Sequence, residues 1–118
     1  MTKDDALRFA EEWIAAWNSH DLDRIMSHYE ETVVLTSPVA VERLGVADGT
    51  VRGTSELRAY FQRGLAAYPA LRFDLEHVFW GVTSVVLYYA NQRGTHTAEC
   101  MELSADGKVT RVVANYDG

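Results

Sequence analysis

The spacing of apolar positions changes once along the chain, from a period near 3.6 to a period of two. Residues 4–17 follow the helical period. Leu7, Ala10, Ile14 and Trp17 form an apolar stripe that Ala6 and Trp13 widen, and Asp5, Arg8, Glu11 and Glu12 take the opposite side. "NSHDLD" breaks this helix, and Ser19 or Asp21 caps a short second one on which Leu22, Ile25, Met26 and Tyr29 share a face. "TVVLTSP" is β-branched and reads as a strand ended by Pro38. Residues 39–53 mix strand-like pieces with an Asp48-Gly49 turn signal, a pattern that reads as a hairpin or long loop. A third helix starts at Thr54 or Ser55, keeps Leu57, Tyr60, Phe61, Gly64, Leu65 and Tyr68 in phase, and stops at Pro69.

Everything after Pro69 alternates. "LRFDLEHVFW" puts Leu71, Phe73, Leu75, His77 and Phe79 on one face, and Val78 and Trp80, out of phase, give the other face an apolar patch that needs covering. "SVVLYYANQ" is apolar on both faces until Asn91. "HTAECMEL" runs into an Asp106-Gly107 turn, and "KVTRVVANY" returns. Three helices followed by antiparallel strands imply an α+β fold with the helices on one face of a curved sheet. The 118 residues make one domain, 1–118, with no repeat or linker.

One position disturbs this pattern. In "HTAECMEL" the inner face holds Thr97, Glu99, Met101 and Leu103, so a carboxylate sits among apolar side chains. Such a group must be paired, hydrated in a cavity, or protonated. Composition narrows what it could serve. A net charge of −6 argues against nucleic acid and anionic membrane as partners and leaves small molecules and proteins. The N-terminus is too acidic for a signal or transit peptide, and no apolar run reaches the roughly 18 residues of a membrane span. The lone Cys100 fits a reducing cytoplasm and is expected to be inert packing. No His, Cys, Asp or Glu group has a metal-ligand spacing and no Gly-rich phosphate loop is present, so neither metal nor cofactor is expected.

The phrases "AAWNSHDLDRIMSHY", "GTSELRAYFQRGL" and "ECMELSADGKVTRVVANY", in this order, resemble the nuclear transport factor 2-like superfamily, closest to its ketosteroid isomerase-like and SnoaL-like polyketide cyclase-like branch. The resemblance implies a cone-shaped, cystatin-like roll: three N-terminal helices on a strongly curved, mainly antiparallel sheet, with a pocket between them. It also implies a homodimer formed through the outer sheet face. In the isomerases the pocket holds a tyrosine, an aspartate base and a protonated acid. The matching positions here are Trp13, Ser37 and Glu99, so only the acid is kept. An epoxide hydrolase-like site departs too, since Thr97 stands where an arginine is needed.

Two functions follow as expectations. The first is a cofactor-independent isomerase, cyclase, dehydratase or hydrolase acting on a small, apolar, oxygenated molecule. Glu99 is its acid or base, and His77, on the apolar face of its own strand, is a partner able to raise its own pKa and lower that of Glu99. Tyr29, Tyr60, Tyr88 and Tyr116 are candidate hydroxyl donors, Trp13, Trp17, Phe61, Phe79 and Met101 candidate apolar walls, and Ser37 lines the same pocket. The second is a non-catalytic dimer that binds a ligand or a protein through the same fold.

Overall fold

A computed structural model describes all residues, 1–118. Four helices precede most of a six-stranded sheet. Helix α1 (Lys3–Ser19) opens on a capping box, in which Thr2 accepts from the Asp5 N–H and Asp5 accepts from the Thr2 N–H. It buries the predicted stripe, with Ala6, Ala10, Trp13, Ile14, Ala16 and Trp17 facing the sheet. His20 ends it in the left-handed conformation, and Asp21 caps α2 (Leu22–Met26) by accepting from the Arg24 N–H. Tyr29 lies beyond α2 and begins β1 (Tyr29–Thr36).

Residues 39–53 are neither hairpin nor long loop. Ser37 and Pro38 start a short helix, α3 (Pro38–Leu44): the Ser37 hydroxyl accepts from the Val39 N–H, and proline stands in the first turn, where no N–H is needed. Gly45 ends it at φ 68°. The valines that suggested strand sit on a helix too short to show a period. Only Thr50–Arg52 form a strand, β2, antiparallel to β1. Between them Gly49, at φ 63°, accepts from the Ser37 N–H, and a Cβ there would stand 2.7 Å from the Ser37 carbonyl oxygen. Helix α4 (Gly53–Ala67) follows and buries Leu57, Tyr60 and Phe61.

The remaining strands are β3 (Asp74–Trp80), β4 (Ser84–Ala90), β5 (His96–Leu103) and β6 (Val109–Tyr116), in the sheet order β2-β1-β6-β5-β4-β3. Only the β1–β6 pair is parallel. The fold is the expected α+β roll, helices on one face of a curved sheet, with a fourth helix added.

One strand reverses the sequence reading. Leu75 pairs with Tyr89 but His77 pairs with Tyr88, so Glu76 is an extra residue that bulges β3. Side chains after it swap faces. Val78 then packs against the core, while His77 and Phe79 lie on the outer face, Phe79 at 58% exposure. Trp80, at the strand end, is also exposed.

Candidate active site

The inner face of the sheet sets the site by register. Thr97 lies opposite Tyr89 on one side and Tyr116 on the other; two residues along β5, Glu99 lies between Leu87 and Ala114. The small Ala114 leaves open space beside the carboxylate, and that space is a cavity of about 180 Å³ reaching the surface. Trp13 and Trp17 from α1, Tyr60 and Phe61 from α4, and Phe73 ahead of β3 form its aromatic wall. Phe73 stacks on Trp13 at 6.0 Å and packs on Tyr89 at 4.4 Å. Its backbone is clamped to α1, donating to the Asn18 side-chain oxygen at 2.8 Å and accepting from the Asn18 amide at 3.0 Å. Ser37, held by α3, closes another side, and Glu42, Arg43, Tyr68, Gln92 and Arg93 border the same cavity.

Glu99 is 8% exposed. Its Oε1 accepts from the Tyr89 hydroxyl at 2.8 Å, the one hydrogen bond its side chain makes. Its Oε2 is not sealed in, because Trp17 Nε1 is the one fully enclosed side-chain polar atom without a partner. The free oxygen therefore faces the cavity. Burial raises the Glu99 pKa to about 7, and the Tyr89 hydrogen bond opposes that rise only in part. Both protonation states are thus populated near neutrality. Burial in turn pushes Tyr29, Tyr60, Tyr89 and Tyr116 upward, and the Glu99 charge adds to this in each, while Ser37 tempers Tyr60 and Tyr116. These phenols stay protonated and remain donors. A second hydrogen-bonded layer holds the inner row, with Asn91 Nδ2 donating to Thr97 Oγ1 at 3.0 Å.

The sequence matches the SnoaL-like domain over residues 10–114. The chain belongs to the SnoaL-like family. A SnoaL-like protein of unknown function from Burkholderia thailandensis is 36% identical over 99% of this chain and 98% of its own, with a TM-score of 0.96. Two more distant structures share the fold. An NTF2-like protein of unknown function from Cytophaga hutchinsonii is 15% identical over 95% of this chain and 89% of its own, with a TM-score of 0.73. SalBIII, an epoxide hydrolase/cyclase-like enzyme of pyran ring formation in salinomycin, is 17% identical over 97% of this chain and 92% of its own, with a TM-score of 0.76. No curated protein matches the sequence.

On this SnoaL-like frame the residues singled out from sequence separate into three groups. Glu99, Trp13, Trp17, Ser37, Tyr60, Phe61 and Tyr116 border the cavity together. Tyr29 and Met101 are buried behind its wall, where the Tyr29 hydroxyl accepts from Trp13 Nε1 at 3.0 Å. His77, Phe79 and Tyr88 point away: Tyr88 is opposite His77 and Ala98 on the outer face, and the Glu76 bulge puts His77 and Phe79 there too. His77 therefore does not meet Glu99, whose one side-chain hydrogen bond comes from Tyr89. Tyr89 was missed in favour of its neighbour Tyr88. Counting across the turn from Ala90 to His96 gives the Tyr89–Thr97 pair, and so Tyr89 as the inner tyrosine. Arg43 and Arg93 carried no sequence signal, since they reach the cavity from α3 and from the β4–β5 turn. No group of three or more His, Cys, Asp and Glu is placed to hold a metal, and no helix is long and apolar enough to cross a membrane.

Proposed function

We propose that this SnoaL-like protein is a cofactor-independent proton-transfer enzyme, an isomerase, cyclase, dehydratase or hydrolase, acting on a small apolar oxygenated molecule. The observation that supports this most is an open aromatic cavity that ends at a carboxylate oxygen with no protein partner. A side-chain-filled cone would instead suit an adaptor. With Oε1 held by Tyr89, Oε2 is the atom that takes or gives the proton. The Tyr60 and Tyr116 hydroxyls, on the same cavity, are the donors for a developing oxyanion. The proposed chemistry draws on groups of the chain alone, without a bound cofactor, and its proposed location is the cytoplasm.

The test needs no knowledge of the natural substrate. In 5-nitrobenzisoxazole, Glu99 Oε2 would remove the ring C–H proton, the C–H electrons form the nitrile, and the N–O bond breaks to a coloured phenolate. The proton then leaves to solvent. The rate is expected to rise with pH through the Glu99 titration near 7 and level above it. A rate that Glu99→Gln leaves unchanged overturns the assignment. The second reading, a ligand-binding module without chemistry, is favoured by Trp13 and Ser37 standing at the tyrosine and base positions of the isomerases. Binding without any Glu99-dependent elimination is its signature.

The proposed partner is a second copy of the chain. On the outer face Phe79, Val86, Cys100 and Val113 line up across β3 to β6, an apolar row. Sedimentation equilibrium is expected to show a dimer that Phe79→Glu turns into a monomer; a monomeric wild type contradicts it.

A further inference from the structure

We propose that the molecule entering this cavity carries a carboxylate, which Arg43 and Arg93 hold at the mouth while its apolar body reaches inward to Glu99. This rests on the reading of the cavity as a reaction site and names the substrate class of that site.

The two arginines come from separate elements, the last turn of α3 and the β4–β5 turn, yet both border the cavity that contains Glu99. Five other arginines, Arg8, Arg24, Arg52, Arg58 and Arg72, each lie within ion-pair distance of an Asp or Glu. Arg43, Arg63, Arg93 and Arg111 have no such partner, and two of these share this one cavity. Arg43 makes no side-chain hydrogen bond. Arg93 Nη2 donates at 2.6 Å to an oxygen of Gly118, the last residue of the sequence, which uses one of its five N–H donors and leaves four.

Each guanidinium is instead placed over a tyrosine ring that also borders the cavity. Arg43 lies 5.4 Å from the Tyr68 ring centre and Arg93 lies 5.7 Å from that of Tyr116. An aromatic face orients the planar fork without consuming its donors, so those donors are left for a ligand. Glu42 is the one carboxylate at this rim beside the two arginines. Two guanidinium groups thus border one cavity on a chain whose net charge is −6. The overall field of such a chain repels anions, so a carboxylate would be recognised here only through these local cations. Behind the rim the aromatic walls suit an apolar body.

The probes are 2-naphthoate and its uncharged isostere 2-naphthamide, titrated calorimetrically at about pH 6, where naphthoate is ionised and Glu99 is mostly protonated. Wild type is expected to bind the naphthoate roughly tenfold or more tightly than the amide, the margin of charge-assisted over neutral hydrogen bonds. The double variant Arg43→Gln/Arg93→Gln should bring the ratio to about one, and Glu99→Gln should keep it. The ratio is the readout because a merely structural disturbance lowers both affinities together. Equal affinities in wild type, no measurable naphthoate binding, or a ratio the double variant leaves intact each overturn the proposal. Elimination of the neutral nitrobenzisoxazole without a naphthoate preference loses this inference alone. A naphthoate preference without Glu99-dependent elimination loses the catalytic reading alone.

Discussion

Glu99→Gln is expected to lower the rate of nitrobenzisoxazole elimination by 10²–10⁴, on the order of what a positioned general base contributes. Glutamine keeps the size of the side chain, and its carbonyl oxygen can still accept from Tyr89 as Oε1 does at 2.8 Å. What it lacks is a basic oxygen facing the cavity. No other group takes over. Ser37 is no base near neutrality, and the phenols that surround the cavity are held protonated. A loss well under tenfold would mean that the proton leaves to water or to another group, and Glu99 would not be the base.

The same carboxylate makes stability depend on pH, with a sign opposite to that of most acidic groups. Its folded pKa of about 7 lies above its ordinary value of 4.5. The folded state therefore binds more protons than the unfolded state between these values. The stabilising contribution is complete below about 4.5 and is lost as pH rises through about 7. Its full size is on the order of 3 kcal/mol, given the depth of burial and the span between the two pKa values. Urea unfolding of wild type and Glu99→Gln, compared between about pH 5 and pH 8, isolates it from other titrations. The variant should gain on wild type as pH rises and be the more stable protein at the alkaline end. That outcome also guards the first prediction, since a variant that is more stable has not lost activity by unfolding. A stability difference that does not change with pH would place Glu99 in water rather than in the fold.

The residues that could be read from sequence are those fixed by an unbroken local period. Trp13 and Trp17 belong to the stripe of α1, and Glu99 shares the face of Thr97 and Met101 along β5, so their placement needed only a count of 3.6 or of two. His77 shows where that count fails. A single extra residue, Glu76, turned His77 and Phe79 outward and removed the acid–base partner expected for Glu99. Nothing in "LRFDLEHVFW" announces the bulge, because it is set by pairing with β4. Helix α3 was hidden differently. Its Ser37-Pro38 start is a helix signal, but Val39 and Val41 look like strand, and the two features compete over a span of seven residues. That misreading removed Arg43 from view and, with it, half of the charged rim. Tyr89 and Arg93 depended on the register of the β4–β5 hairpin, a tertiary fact that local periodicity does not carry.

Glu99 is a buried, cavity-facing acid poised near neutrality. Carboxyl-carbon NMR titration reads that protonation, with the signal assigned by its loss in Glu99→Gln. The midpoint is expected at about 7 in wild type and higher in Tyr89→Phe, where the hydrogen bond that lowers it is gone. A wild-type midpoint at or below the ordinary value of 4.5 would contradict it.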